Sequence, residues 1–196
     1  EAAKEAAIGF IDKLPSDARV AIVSFSGTSF VEQELTDDFD DAREKIANIE
    51  IKDIGGTDIG NAIVTSSNLL LRETRPKAIV LLTDGRSTVG VPLEIGIDYA
   101  NEAHITAYTI GMATETGGKF AGSEAISTVD EESLMQIAFS TNGKYYKAAS
   151  EEGLENAYTD ILKLRKQNIG LRLAPLLISA IIVLLVLQWI LAFTRY

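Results

Sequence analysis

The sequence predicts an α/β protein in which a Rossmann-like, mainly parallel sheet is flanked by helices and followed by one C-terminal transmembrane helix. Two observations predict this fold class. Apolar runs of strand length alternate with segments whose apolar residues recur every three or four positions, and strands that alternate with helices pair in parallel. Residues 173–193 are 21 consecutive residues without a charge, which is enough to cross a hydrocarbon core about 30 Å thick.

The first elements of the chain are a helix and two strands. Residues 1–14 place apolar side chains at helical spacing. The apolar run 19–25 predicts a strand that is covered on both faces, and the more polar run 29–35 predicts an edge strand antiparallel to it. Thr36 or Asp37 is expected to cap the next helix, whose apolar residues share one face.

The rest of the soluble part continues the alternation. A glycine-containing break precedes a helix over 59–71, and an apolar strand over 77–83 ends in the turn Asp84-Gly85. The remaining predicted elements are a helix over 93–103, a strand over 105–110, a helix that begins at Asp130, a strand over 144–147 and a final helix opened by Ser150.

The charge distribution divides the chain into domains. The net charge is −10, but residues 1–160 hold all 28 acidic residues and 13 of the 18 basic ones, so their net charge is −15. We predict an α/β domain over 1–163, a basic juxtamembrane linker over 164–172, a transmembrane helix over 173–193 and a short tail over 194–196. This organisation predicts a single-pass protein of the cell membrane. The basic residues before the span favour a cytoplasmic position for the soluble domain.

Composition and motifs argue against several function classes. The chain has no cysteine and one histidine, His104, which argues against disulfides, thiol nucleophiles and Cys- or His-rich metal sites. An acidic domain repels phosphate backbones, so we expect no nucleic-acid partner. No GxGxxG motif follows a strand, and P-loop and GxSxG motifs are missing from the sequence, which argues against nucleotide binding and serine hydrolysis. We therefore expect a non-enzymatic protein.

Polar residues cluster where the predicted strands end and helices begin, and ligands of such sheets bind at the carboxyl ends of strands. The candidates are Ser24, Ser26, residues 55–58, residues 83–85 and the loop after Ile110. Taken singly, the segments 55–58 and 83–85 have ordinary explanations. A Gly-Gly-Thr-Asp segment is typical of a loop that enters a capped helix, and Asp-Gly is typical of a turn after a strand.

Taken together, GGTDIG (55–60), LLTDG (81–85) and the preceding RVAIVSFSG resemble the von Willebrand factor A (VWA) domain. The resemblance covers residues 1–163. With the C-terminal span, the chain is most similar to membrane-anchored prokaryotic VWA proteins of the aerotolerance (Bat) type. The resemblance implies a metal-ion-dependent adhesion site (MIDAS), in which Mg²⁺ or Mn²⁺ is bound at the strand ends.

By this match, Thr57 corresponds to the hydroxyl ligand of the metal and Asp84 to its carboxylate ligand. Asp58 and Gly85 lie beside them as supporting residues without binding the ion. Oxygen donors of this kind suit a small hard cation. The implied partner is a protein whose Asp or Glu side chain completes the coordination sphere.

The chain departs from the family in one respect. Family members carry DxSxS at the end of a first strand in the middle of the sheet, and no DxSxS occurs in these residues. We expect the strands beginning at Arg19 and Lys77 either to pair directly or to leave a gap, and the chain to be a fragment or a truncated gene product. Because Thr57 and Asp84 are few ligands, we also expect weak metal affinity.

Two alternative functions and the membrane side stay open. The first alternative is a metal-dependent hydrolase or phosphatase that uses Asp84. The second is a truncated VWA domain without metal function. Against the hydrolase, Arg86 stands where an aspartyl-phosphate phosphatase has its second Asp. The resemblance places the domain outside the cytoplasm behind upstream spans, whereas the local charges favour the reverse.

Overall fold

The computed structural model describes residues 2–50, 54–83, 86–112, 130–148 and 151–169. Within them, helices and strands follow one another much as the sequence predicts. The helices are α1 (Ala2–Asp12), α2 (Phe39–Ala47), α3 (Ile59–Leu70), α4 (Leu93–Glu102), α5 (Glu131–Ser140) and α6 (Glu151–Ile169). The strands are β1 (Val20–Phe25), β2 (Ser29–Thr36), β3 (Lys77–Thr83), β4 (Ile105–Met112) and β5 (Tyr145–Ala148).

Strands β3, β4 and β5 form a parallel sheet in that order, which confirms the predicted parallel arrangement. The register of β3 and β4 runs from Lys77 opposite Ile105 to Thr83 opposite Gly111. Parallel strands have their carboxyl ends at one edge of the sheet. Whatever follows Thr83 therefore starts at the edge where ligands bind in sheets of this kind.

Strands β1 and β2 form a separate antiparallel pair, as predicted for the polar edge strand. The pairing closes with Phe25 opposite Ser29, so residues 26–28 make the tight connection. This connection lies at the carboxyl end of β1, which is the end that carries the candidate residues Ser24 and Ser26.

Among the described strands, β1 pairs only with β2, and β3 pairs only with β4. Of the two expected arrangements for β1 and β3, direct pairing is therefore not observed within the described residues. Both strands nevertheless border one core, since Phe25 of β1 packs against the cluster that contains Ile79 and Leu81 of β3. At the other end of β1, the Arg19 guanidinium lies 3.5 Å from the carboxylate of Glu73, which precedes β3.

Two apolar clusters among the described residues belong to the core. The larger one joins α3, α4 and α5 to the parallel sheet and includes Ile59 and Ile63, four residues apart on one face of α3 and fully buried. The smaller one joins α1 and α2 to β1 through Ile11, Ala42 and Ile46. Full burial of a large aliphatic side chain contributes about 1.5–3 kcal/mol, so the larger cluster fixes the position of α3 firmly.

The helix cap before α2 differs from the expectation. Asp38 is the N-cap, and not Thr36 or Asp37, because its Oδ1 accepts bonds from the main-chain N–H groups of Asp40 (3.0 Å) and Asp41 (3.1 Å). The Thr36 hydroxyl instead accepts a bond from the N–H of Asp38 at 3.0 Å.

One compact unit runs from Glu1 to Thr159, and a second begins at Asp160, within α6. The predicted boundary between 163 and 164 thus falls inside a helix. No helix of the described residues is both long and apolar enough to span a membrane. The predicted span at 173–193, the tail at 194–196 and Ser150 lie outside the described residues.

Candidate metal-binding site

The turn after β1 packs against the segment that precedes α3. The carbonyl oxygen of Ser26 accepts a bond from the Asp58 N–H at 2.7 Å, and the carbonyl oxygen of Ile54 accepts one from the Gly27 N–H at 3.5 Å. A Cβ atom at position 27 would lie 2.3 Å from the carbonyl oxygen of Gly55. The close approach of the two loops therefore requires a glycine at position 27.

The segment after β3 is bonded to Thr57. The Thr57 N–H donates to the Thr88 hydroxyl at 3.0 Å, and the Thr57 carbonyl accepts from the Thr88 N–H at 2.9 Å. The Ser87 hydroxyl and the Val89 N–H reach the same carbonyl at 3.4 Å. The fold thus brings one predicted ligand, Thr57, to the residues that closely follow the other, Asp84.

Asp84 and Gly85 themselves lie outside the described residues. Their predicted roles, as carboxylate ligand and supporting residue, stay predictions. The metal contact of Thr57 likewise stays a prediction. The structure shows that Thr57 lies next to Thr88 and Val89, which follow Asp84 in the sequence.

The side chain of Thr57 is half-buried, and all of its described hydrogen bonds use its main-chain atoms. Within the described residues its hydroxyl is thus left unengaged. The Ser26 hydroxyl, on the adjoining turn, is buried and also has no hydrogen-bond partner there. Hydroxyl oxygens are acceptable ligands for Mg²⁺ and Mn²⁺, so the donors present are compatible with a hard divalent cation.

Asp58 joins the two loops through its carboxylate. Only 4 % of this residue is exposed, and Oδ1 accepts bonds from the Asn61 N–H in the first turn of α3 (2.9 Å) and from the Val91 N–H (3.0 Å). The side chain is therefore the N-cap of α3 and also holds the segment after β3. Its structural task is thus defined, whereas its relation to a bound ion stays a prediction.

Gly90 makes room for this carboxylate. Its φ angle is 87°, and a Cβ atom there would lie 1.7 Å from Oδ2 of Asp58. Sequence reasoning singled out Asp58 but gave no specific role to Gly90 or Thr88. No motif marks them, because their importance comes from contacts with residues about 30 positions earlier in the chain.

The family model for the von Willebrand factor type A domain matches residues 1–160. The chain belongs to the VWA domain family. A UPF0353 protein of Nocardia farcinica is 31% identical over 183 residues, with 81% of this chain and 54% of the relative covered. The chain spans about half the length of the curated relatives it matches.

Solved structures share the fold. An aerotolerance-related membrane protein from Bacteroides fragilis matches with a TM-score of 0.67 and 22% identity, over 81% of this chain and 85% of that one. Proximal thread matrix protein 1 from the mussel byssus, solved with a zinc-occupied MIDAS motif, matches with a TM-score of 0.67 and 18% identity. That match covers 84% of this chain and 42% of the mussel protein.

Other predicted candidates of this VWA domain lie apart from Thr57 or are already engaged. The Ser24 hydroxyl donates to the carboxylate of Glu32 on the neighbouring strand. His104 is exposed just before β4, at the amino end of the parallel sheet and thus at the edge opposite the site. Thr83 is buried at the carboxyl end of β3. Most of the loop after Ile110, residues 113–129, lies outside the described residues.

Carboxylates are scarce around Thr57. In the described ranges, no three His, Cys, Asp or Glu side chains are grouped so as to hold a metal ion. A shifted carboxyl pKa is found elsewhere: the Arg75 guanidinium lowers the pKa of Glu73 to about 2, in the loop before β3.

Proposed function

We propose that this chain is a membrane-tethered VWA module that binds a protein partner with the help of a divalent cation, Mg²⁺ or Mn²⁺, at Thr57 and Asp84. The observation that supports the proposal best is the Thr57 hydroxyl, which has no hydrogen bond to the described residues and is held beside the segment that follows Asp84. A bound divalent cation would supply the positive charge that attracts an Asp or Glu side chain of the partner.

The residues of the chain itself supply position. Two hydrogen bonds to Thr88 fix the main chain of Thr57: its N–H donates to the Thr88 hydroxyl, and its carbonyl accepts from the Thr88 N–H. The Asp58 carboxylate joins the start of α3 to Val91, which holds the two loops next to each other. Since an ion held by only two protein ligands keeps several waters, we expect weak affinity and an open coordination sphere.

A binding role without catalysis agrees with the placement of the titratable groups. General acid–base catalysis needs a donor or acceptor within hydrogen-bond reach of the reacting group. The one histidine lies at the opposite edge of the sheet, and the carboxylate of Asp58 is buried and bonded to two N–H groups. These positions support an adhesion or scaffold module over a hydrolase that uses Asp84.

Membrane tethering is part of the proposal. It is supported by the uncharged run 173–193 in the sequence and by the similarity in fold to a protein described as an aerotolerance-related membrane protein. Alkaline carbonate extraction of vesicles that contain the full chain tests it. Resistance to carbonate extraction is the expected result, and release into the soluble fraction would contradict tethering.

We propose further that β1 and β3 receive another strand between them. Phe25 of β1 packs against the core cluster that contains Ile79 and Leu81 of β3, yet the described strands pair β1 and β3 on one side only. Unsatisfied main-chain groups that are buried cost about 1–3 kcal/mol each, which favours a third partner. Amide hydrogen exchange tests this arrangement: with a strand on both sides, β3 should be as well protected as the doubly paired β4, and clearly faster exchange in β3 would contradict it.

Metal binding is tested by Mn²⁺ titration of the full chain, followed by electron paramagnetic resonance. Thr57→Val keeps the β-branched shape and the main-chain bonds while it removes the hydroxyl, and Asp84→Asn removes the charge. We expect each change to weaken Mn²⁺ binding by about tenfold or more. Thr74→Val is the matched control, since Thr74 is exposed in the loop before β3, and should bind as the unmodified chain does.

Equal Mn²⁺ affinity in Thr57→Val and Thr74→Val would contradict the assignment of the hydroxyl ligand. The partner function is tested separately by capture from a membrane extract on the immobilised chain. Capture that is lost on addition of chelator and in Asp84→Asn supports the proposal. Capture that persists in chelator favours docking without a metal.

A further inference from the structure

Two exposed apolar side chains stand on either side of the Thr57 loop. Ile54 is 43 % exposed and Val89 is 46 % exposed. A Cβ atom built on Gly27 would lie 3.0 Å from a methyl group of Ile54, so this side chain borders the turn after β1. A Cβ atom built on Gly56 would lie 2.8 Å from a methyl group of Val89, so that side chain borders the loop from the other direction.

The glycines around Thr57 make this surface shallow and accessible. Gly55 and Gly56 are exposed, and an added Cβ at Gly55 would meet nothing within 4 Å. A partner's main chain can therefore approach the loop closely. Ile54 and Val89 provide the two larger apolar surfaces beside it, and we call these two residues the apolar rim.

The charge around the rim differs from that of the domain as a whole. The segments 26–29, 54–58 and 86–91 contain one acidic residue, Asp58, which is buried, and one basic residue, Arg86, which is exposed. The domain around them has a net charge of −15 over residues 1–160. Within these described segments no acidic side chain is exposed, so none of them repels a partner's carboxylate.

We propose that the partner presents a short segment in which an acidic side chain is flanked by apolar side chains, the carboxylate directed toward Thr57 and the flanking groups toward Ile54 and Val89. The inference rests on the proposed function and adds the chemistry of the partner to it. Contact of a partner's aliphatic group with the rim removes apolar surface from water on both molecules, which strengthens binding without adding charge. A carboxylate between glycines lacks that contribution.

Two synthetic peptides serve as probes: acetyl-Leu-Glu-Leu-amide and acetyl-Gly-Glu-Gly-amide. Each is titrated into the isotope-labelled full chain at millimolar Mg²⁺ and again with chelator, and binding is followed by NMR chemical shifts. We expect the leucine peptide to bind about three- to tenfold more tightly than the glycine peptide when Mg²⁺ is present.

The variants Ile54→Ser and Val89→Ser test the rim. Each should reduce the preference for the leucine peptide while the affinity for the glycine peptide stays unchanged. Leu71→Ser is the matched control: Leu71 is 49 % exposed and follows the last residue of α3, the end opposite Asp58. Its change should leave the preference intact. A thermal unfolding curve for each variant checks that the fold is retained.

The outcomes separate this inference from the proposed function. Mg²⁺-dependent binding of both peptides with equal affinity would overturn the rim and leave the metal-dependent function standing. A leucine preference that survives in chelator and disappears in the rim variants would support the rim and contradict the role of the metal. A preference that persists in Ile54→Ser and Val89→Ser would overturn the rim, and absence of binding for both peptides would contradict both proposals.

Discussion

Replacement of Gly90 by alanine should disrupt the link between the two loops. Gly90 has a φ angle of 87°, and its added Cβ atom would lie within 1.7 Å of Oδ2 and 2.6 Å of Oδ1 of Asp58. No rotation of the methyl group relieves this overlap. The carboxylate must move away, and it must then give up its bonds to the N–H groups of Asn61 and Val91.

The magnitude follows from two contributions. An alanine in the left-handed region costs about 1–2 kcal/mol. Loss of hydrogen bonds from a buried carboxylate that caps a helix costs about 1–3 kcal/mol. We therefore expect Gly90→Ala to lower the free energy of unfolding by about 2–5 kcal/mol, a large part of the roughly 5–15 kcal/mol of a typical domain.

A double-mutant cycle with Asp58→Ala isolates the overlap. Without the carboxylate, Gly90→Ala should cost only the backbone contribution of about 1–2 kcal/mol, so the two changes should be clearly less than additive. Gly55→Ala is the matched control, because an added Cβ there meets nothing within 4 Å and its stability should change by less than about 1 kcal/mol. Urea unfolding supplies the four free energies. Additive costs would refute the proposed contact between position 90 and Asp58.

Three further predictions concern stability and titration elsewhere in the VWA domain. Thr141→Val should lower the free energy of unfolding by about 1–3 kcal/mol in urea, because the buried hydroxyl bonds the main chains of β4 and α5; an unchanged midpoint would contradict this. Arg75 lowers the pKa of Glu73 to about 2, below its ordinary 4.5, so this pair stabilises the fold above about pH 4.5 and loses that effect as the pH falls toward 2. The free energy of unfolding of the unmodified chain should therefore exceed that of Glu73→Gln by less as the pH falls. A difference that stays constant with pH would contradict the role of the pair. Burial raises the pKa of Tyr158 to about 12, so Phe10→Ala, which uncovers a ring 4.7 Å away, should let this phenol ionise at lower pH in an ultraviolet titration.

The sequence was sufficient for most of the secondary structure because its signals are local. The strand predicted at 77–83 has the same bounds as β3. The more polar pattern of β2 predicts its place as an edge strand antiparallel to β1. The cap of α2 shows the limit. Thr36, Asp37 and Asp38 are adjacent and all suitable as caps, and only the backbone geometry selects Asp38.

The site was only partly accessible from sequence. The Gly-Gly-Thr-Asp segment identifies Thr57 and Asp58 because a loop that enters a helix has a recognisable composition. Thr88, Val89 and Gly90 carry no such mark, since hydroxyl, aliphatic and glycine residues are ordinary in a turn after a strand. Their roles depend on contacts across about 30 residues, which the folded chain alone creates.

The bonds around Thr57 also determine how a metal should affect the fold. Because hydrogen bonds within the chain, from Thr57 to Thr88 and from Val91 to Asp58, hold the two loops together, the position of Thr57 does not depend on an ion. An ion present at a concentration equal to a weak dissociation constant would add only about 0.4 kcal/mol. We therefore expect chelator to abolish Mg²⁺-dependent partner binding while the melting temperature of the domain changes by little more than about 2 °C. A drop of many degrees on addition of chelator would show that the ion, and not the Thr57–Thr88 and Asp58–Val91 bonds, keeps the two loops together.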